Sequence, residues 1–296
     1  MKHSMRITLI LLTFFFISQV LGLAIISKYL DVSKTLETGE IKHKLLPYDL
    51  QPPEVEKDYS FVYVFIAILI GTILMFLLIK YMQLLLWKIW YFTAISFSLL
   101  LGFGAFVSQR NALIGALIFA WLKVFKPSVI LHNFTELFIY GGLAAFFVSI
   151  FNVKSAIILL VLISLYDMYA VWKSKHMIML AKFQSESQMF AGLFIPYKMG
   201  KLVKFKSGTG AFKKIKTAML GGGDIAFPLF FAGAVLENAI LTMSLQQALW
   251  KVLVIPIGAT IALSLLFWKS KESKFYPAMP VLSIGCFVGY AVFLLI

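Results

Sequence analysis

Four acidic side chains fall inside or at the ends of long apolar stretches of this 296-residue chain: Glu136, Asp167, Asp224 and Glu237. Placing a carboxylate within a bilayer costs about 2.5–3.5 kcal/mol, so each calls for a reason. Glu136 lies early in its stretch, ten residues beyond Lys126, and Glu237 closes its stretch beside Asn238, so both are expected to reach a membrane interface. Asp167 and Asp224 are placed differently. Asp167 precedes Lys173 by about 9 Å of helix, and Asp224 follows Lys216 by about 12 Å. Consecutive antiparallel helices with both lysines on one side would bring the two carboxyls to nearly the same depth.

Two carboxyls held together in a low-dielectric site cannot both ionise, so one keeps a proton and the pair titrates as a unit. That arrangement suits hydrolysis: one acts as general base on a water, the other as acid toward a carbonyl oxygen, and the proton taken from the water then passes to the leaving amine. An ion- or proton-coupled membrane transporter could use the same two aspartates to bind its coupling ion, and depth alone does not separate these chemistries.

The elements that must position them are membrane helices. Hydrophobic residues make up 61% of the chain and charged residues 14%, with a mean hydropathy of +0.91, which excludes an ordinary soluble domain. The formal charge is +14, but the basic residues sit between apolar runs, a pattern of membrane topology and not of a nucleic-acid partner. Cys286 is the single cysteine and the four histidines form no HExxH, so no disulfide, metal site or cofactor is expected.

Runs long enough to cross about 30 Å of hydrocarbon number nine, near 6–28, 60–80, 86–107, 111–125, 128–151, 155–173, 217–236, 247–268 and 277–296. The expected fold is therefore all-α, a polytopic membrane protein with nine transmembrane helices. Helices 1–6 occupy residues 1–173, a basic cytoplasmic loop 174–216, and helices 7–9 residues 217–296. Lys2, His3 and Arg6 ahead of the first run also describe a signal peptide. Its apolar stretch exceeds the usual 7–15 residues and no cleavage site follows, which favours a retained helix. A cytoplasmic N-terminus puts 19 of the 27 basic residues inside, the orientation the positive-inside rule selects, and leaves the C-terminus outside. Residues 29–59, with seven acids, then form a solvated extracytoplasmic loop.

Three local features bear on the aspartates. Gly221, Gly222 and Gly223 precede Asp224 and Pro228 follows it, which predicts a loosened, kinked helix. Tyr276-Pro277-Ala278-Met279-Pro280 predicts an irregular start to the last run, whose backbone groups need a polar setting. Alternation in Leu202 to Phe205, followed by Ser207-Gly208-Thr209-Gly210, predicts a short hairpin near the membrane.

Tyr166-Asp167 in the sixth run, Gly221-Gly222-Gly223-Asp224 in the seventh and Pro277-Ala278-Met279 opening the ninth resemble the YD, GxGD and PAL motifs of the presenilin and signal peptide peptidase family of intramembrane aspartyl proteases. Their order and helix numbers match, Met279 standing where the family has leucine. The chain looks most like an archaeal presenilin homologue. The resemblance implies a presenilin-like fold, catalytic Asp167 and Asp224, and active-site support from Tyr166, Gly221, Gly223, Pro277, Ala278 and Met279. It also implies substrates that are transmembrane helices of other proteins. These unwind and add an extended strand to the enzyme, with Leu202 to Phe205 and the residues just before Asp224 offering the edge. The expected setting is the cell membrane and its lipid, with a homo-oligomer left open.

Overall fold

The computed structural model describes residues 4–81, 84–173, 189–197, 217–270 and 276–296. Its helices are α1 (Met5–Tyr29), α2 (Val32–Thr38), α3 (Ser60–Lys80), α4 (Leu84–Gly104), α5 (Gln109–Phe125), α6 (Val129–Phe147) and α7 (Val153–Met168). Strands β1 (Gly192–Pro196) and β2 (Thr217–Gly221) follow, then α8 (Gly222–Ala239), α9 (Leu245–Val252), α10 (Val254–Lys269) and α11 (Met279–Leu295). Boundaries fall where local chemistry sets them. Lys126-Pro127 separates α5 from α6, which starts after Ser128, whose hydroxyl accepts the Leu131 N–H. Asn152 and Ser155 form a reciprocal capping box that opens α7, and Ser244 with Gln247 does the same for α9.

The bundle is built around α8, whose residues Leu229, Phe231, Ala232 and Leu236 are fully buried. It packs on α1, α6, α7, α10 and α11. Small residues let backbones approach where helices cross: a side chain at Gly142 of α6 would run into the Ser98 carbonyl of α4, and one at Gly285 of α11 would meet the Gly258 carbonyl of α10. The first run lies against α6, α8 and α10 through Leu11, Phe15, Leu23 and Ile26. Outward faces carry Ile66, Ile70, Ile73 and Leu74 on α3 and Ile257, Ile261 and Leu265 on α10. Such apolar surface is unfavourable in water and suits lipid. The molecule is an integral, multi-pass membrane protein.

Two expectations need adjustment. Among the described residues six helices are long and apolar enough to cross a bilayer, not nine. Helices α5 and α11 have 17 residues each, about 26 Å, and α8 has 18 that include two acids, three glycines or prolines in its first turns and a closing Glu237-Asn238. The seventh run also begins as a strand. Residues 217–221 pair antiparallel with β1, Leu193 opposite Leu220 and Ile195 opposite Ala218, and the helix starts only at Gly222. The run reads as one apolar segment because a buried strand and a buried helix both lack polar alternation. The hairpin predicted at 202–212 lies outside the described residues.

Candidate active site

Asp167 occupies the last turn of α7, where the helix loosens into a π turn at Tyr169–Lys173. Its side chain is buried, 4% exposed. Its partners come from the start of α11. Pro277 and Pro280 have no N–H, so only Ala278 and Met279 carry donors in this segment. The Met279 N–H donates to Asp167 Oδ2 at 3.1 Å, and the Ala278 N–H also hydrogen-bonds to this carboxyl. A helix N-terminus with its first amides unpaired is an anion site, so the two prolines confine that site to one carboxylate. Asp167 Oδ1 has no hydrogen-bond partner among the described residues.

Asp224 is the third residue of α8 and is 8% exposed. Its carboxyl takes the N–H of Gly221, the residue that precedes the helix, which is half of a capping box. Pro228 supplies no N–H to the Asp224 carbonyl, and the next carbonyl, of Ile225, accepts from Gln19 Nε2 of α1 at 2.8 Å. The helix therefore runs through the proline with the Asp224 carbonyl lacking its helical donor, and a side chain of α1 reaches the carbonyl next to it. With α7 packed on α8, Asp167 and Asp224 lie close enough for their charges to interact. The two acids and the Pro277-Ala278-Met279 segment thus meet at one place. Gly221 and Gly223 flank Asp224 on the strand-to-helix turn, whereas Tyr166 is turned toward α3, its hydroxyl 3.4 Å from Thr72 Oγ1 and its ring edge-on to Phe65.

Expected interface positions for the other two acids do not hold. Glu136 is 2% exposed and pairs with the Lys123 ammonium of α5, itself buried, while the Tyr140 hydroxyl donates to its second oxygen. His132 Nε2 lies 3.7 Å from the same carboxylate. Glu237 is buried against His43 of the 29–59 segment at 2.7 Å, so that loop is not merely solvated. Glu237 sits near the end of α8 as predicted, whereas Glu136 lies two turns inside α6, and the neighbouring protein covers both.

This α6 network was missed from sequence, although the spacing of His132, Glu136 and Tyr140 at i, i+4 and i+8 would have put them on one face. It reaches the site: the Tyr140 hydroxyl lies 2.7 Å from where a Cβ at Gly222 would stand, and its ring end is within electrostatic reach of Asp224. Among the described residues no cluster of three or more His, Cys, Asp or Glu is placed to hold a metal ion.

Gly192 joins the sheet at φ +146°, a region essentially reserved for glycine, and a Cβ there would overlap the Leu220 carbonyl and the Phe190 ring. Gly192→Ala is expected to weaken the β1–β2 pairing by about 1–3 kcal/mol. Faster amide exchange at Leu193 and Ile195 with intact helix content is the check; unchanged exchange would show that the strand tolerates the side chain.

The family model for signal-peptide peptidase and presenilin aspartyl protease matches residues 12–296. The chain belongs to this family. Among solved structures, a presenilin family intramembrane aspartate protease in a C222 crystal aligns at a TM-score of 0.58 and 17% identity, covering 96% of this chain and 99% of the other. The P2 crystal form of a presenilin family intramembrane aspartate protease aligns at 0.60 and 17%, covering 96% of each. At that identity the likeness establishes the presenilin fold. No curated protein matches. Within this family the two buried aspartates of the present chain, at the end of α7 and just after β2, are the candidates for the proteolytic pair.

Proposed function

We propose that this protein is an aspartic endopeptidase that hydrolyses peptide bonds within transmembrane helices, with Asp167 and Asp224 as its catalytic pair. One carboxylate takes a proton from a water as it attacks the peptide carbonyl, and the other gives its proton to that oxygen; as the resulting diol collapses and the C–N bond breaks, the first passes its proton to the departing amine and the second regains one from the diol hydroxyl. The observation that carries this reading is the meeting of two buried carboxyls from packed helices beside a short sheet, in a chain of this family. The Ala278 and Met279 amides hold Asp167 in place, and the Gly221 amide holds Asp224.

In this reading a substrate helix unwinds and adds as a strand to β2, which runs directly into Asp224. The spans α5, α8 and α11 complete a nine-helix topology, with the N-terminus cytoplasmic, the C-terminus outside and the 174–216 segment between the catalytic helices. Purified protein in lipid, given a transmembrane peptide carrying a fluorogenic reporter, is expected to cut within the apolar segment, with products located by mass spectrometry. A transition-state-mimicking aspartyl inhibitor should block the cut. Proton-coupled uptake into proteoliposomes without any proteolysis would overturn the assignment.

A further inference from the structure

The sheet has two edges, and only one of them faces the acids. Along β1 the backbone groups of Gly192 and Phe194 point away from β2 and are met by side chains of α6. Asn133, buried at 4% exposure, answers Phe194 twice: its Nδ2 donates to the Phe194 carbonyl at 2.8 Å and its Oδ1 accepts the Phe194 N–H at 3.0 Å. This is the exchange that one residue of an adjacent antiparallel strand would make. His132 Nε2 donates to the Gly192 carbonyl at 2.8 Å, and the Tyr91 hydroxyl of α4 donates to the Phe190 carbonyl at 2.9 Å. Because Phe194 lies opposite Met219 and Gly192 opposite Gly221, these are the non-hydrogen-bonded pairs of the ladder. Met219 and Gly221 therefore also point away from β1, and the Gly221 N–H on that side bonds to Asp224. The outer edge of β2 leads straight to the acids.

We infer that Asn133 is a positioning residue: its amide fills the outer edge of β1 in place of a strand, keeping the sheet formed before substrate arrives and directing an incoming peptide to the β2 edge beside Asp224. This rests on the protease reading above. Asn133→Leu keeps the approximate volume and leaves the Phe194 N–H and C=O buried without that partner. The sheet then forms only part of the time, and apparent affinity falls by that fraction. The expected result is a KM raised about tenfold with kcat changed less than about threefold, and cleavage spread to neighbouring peptide bonds. Asn133→Asp keeps the acceptor, loses the donor and should fall between. A merely structural asparagine would lower the yield of folded enzyme without moving KM or the product pattern, and that outcome in folded variant overturns the inference.

Amide exchange, which needs no substrate, decides independently of activity. In the unsubstituted protein the Phe194 amide should exchange as slowly as those of Leu193 and Ile195, even if neither variant folds. Exchange at the rate of an open amide removes the pin. If the unsubstituted protein shows a protected Phe194 and yet cuts no peptide, the protease reading fails while the edge-filling role of Asn133 stands.

Discussion

Replacing either Asp167 or Asp224 by asparagine is expected to reduce peptide cleavage by at least about 10³-fold while the protein folds normally. General acid–base catalysis contributes about 10²–10⁴-fold per proton-transferring group, and an amide can neither accept the water proton nor deliver one to the leaving amine. The substitution is nearly isosteric. In Asp167→Asn the amide oxygen can still accept the Met279 N–H that the carboxylate accepts now, and in Asp224→Asn it can still cap the Gly221 N–H. Because the two carboxyls work as a unit, the double variant should be no slower than the worse single one, within experimental error. Turnover of a transmembrane reporter by purified variants, alongside their unfolding profiles, is the measurement. Substantial cleavage by both single variants would leave the proposed chemistry without its catalysts.

Glu136 carries the second large effect, on stability. Its carboxylate is enclosed with the Lys123 ammonium and the Tyr140 hydroxyl, and Lys123 has only Thr135 Oγ1 at 2.9 Å and the His132 carbonyl at 3.5 Å as further partners among the described residues. Removing one member of a buried pair leaves an uncompensated charge and costs about 3–5 kcal/mol, whereas replacing both by apolar residues of similar volume is often close to neutral. Glu136→Leu should therefore destabilise by about 3–5 kcal/mol, and Lys123→Met combined with Glu136→Leu should recover most of that loss. Reversible unfolding in mixed micelles tests both. If the double variant is as unstable as the single, the cost lies in the Tyr140 contact and not in the stranded ammonium. The single variant should also lose activity, since Tyr140 stands against Gly222 two residues before Asp224.

Much of this molecule is legible without coordinates. The Lys126-Pro127 break between α5 and α6 follows from proline chemistry alone. The nearness of Asp167 and Asp224 is expected from counting residues to Lys173 and Lys216, and two proline-bounded amides at 278 and 279 mark an irregular helix start in need of a polar partner. The polar network of α6 is harder to see. Lys123 and Glu136 lie on successive helices thirteen residues apart, and nothing local distinguishes an acid that meets headgroups from one that meets a buried lysine. Residues 217–221 form a strand that sequence alone does not separate from helix, because both states are apolar there.

What the sequence determined by itself is the solvent and the chemistry on offer: an apolar composition that requires lipid, a family signature, and two aspartates too costly to place in hydrocarbon without a purpose. Only the tertiary structure decided which groups answer which: the Ala278 and Met279 amides on Asp167, Asn133 on the edge of β1, Lys123 on Glu136, Gln19 on the carbonyl of Ile225. The reason is physical. Burial in a membrane removes the polar alternation by which a soluble chain advertises its faces, so partners distant in sequence are chosen by packing, where every unpaired donor or acceptor must find its match.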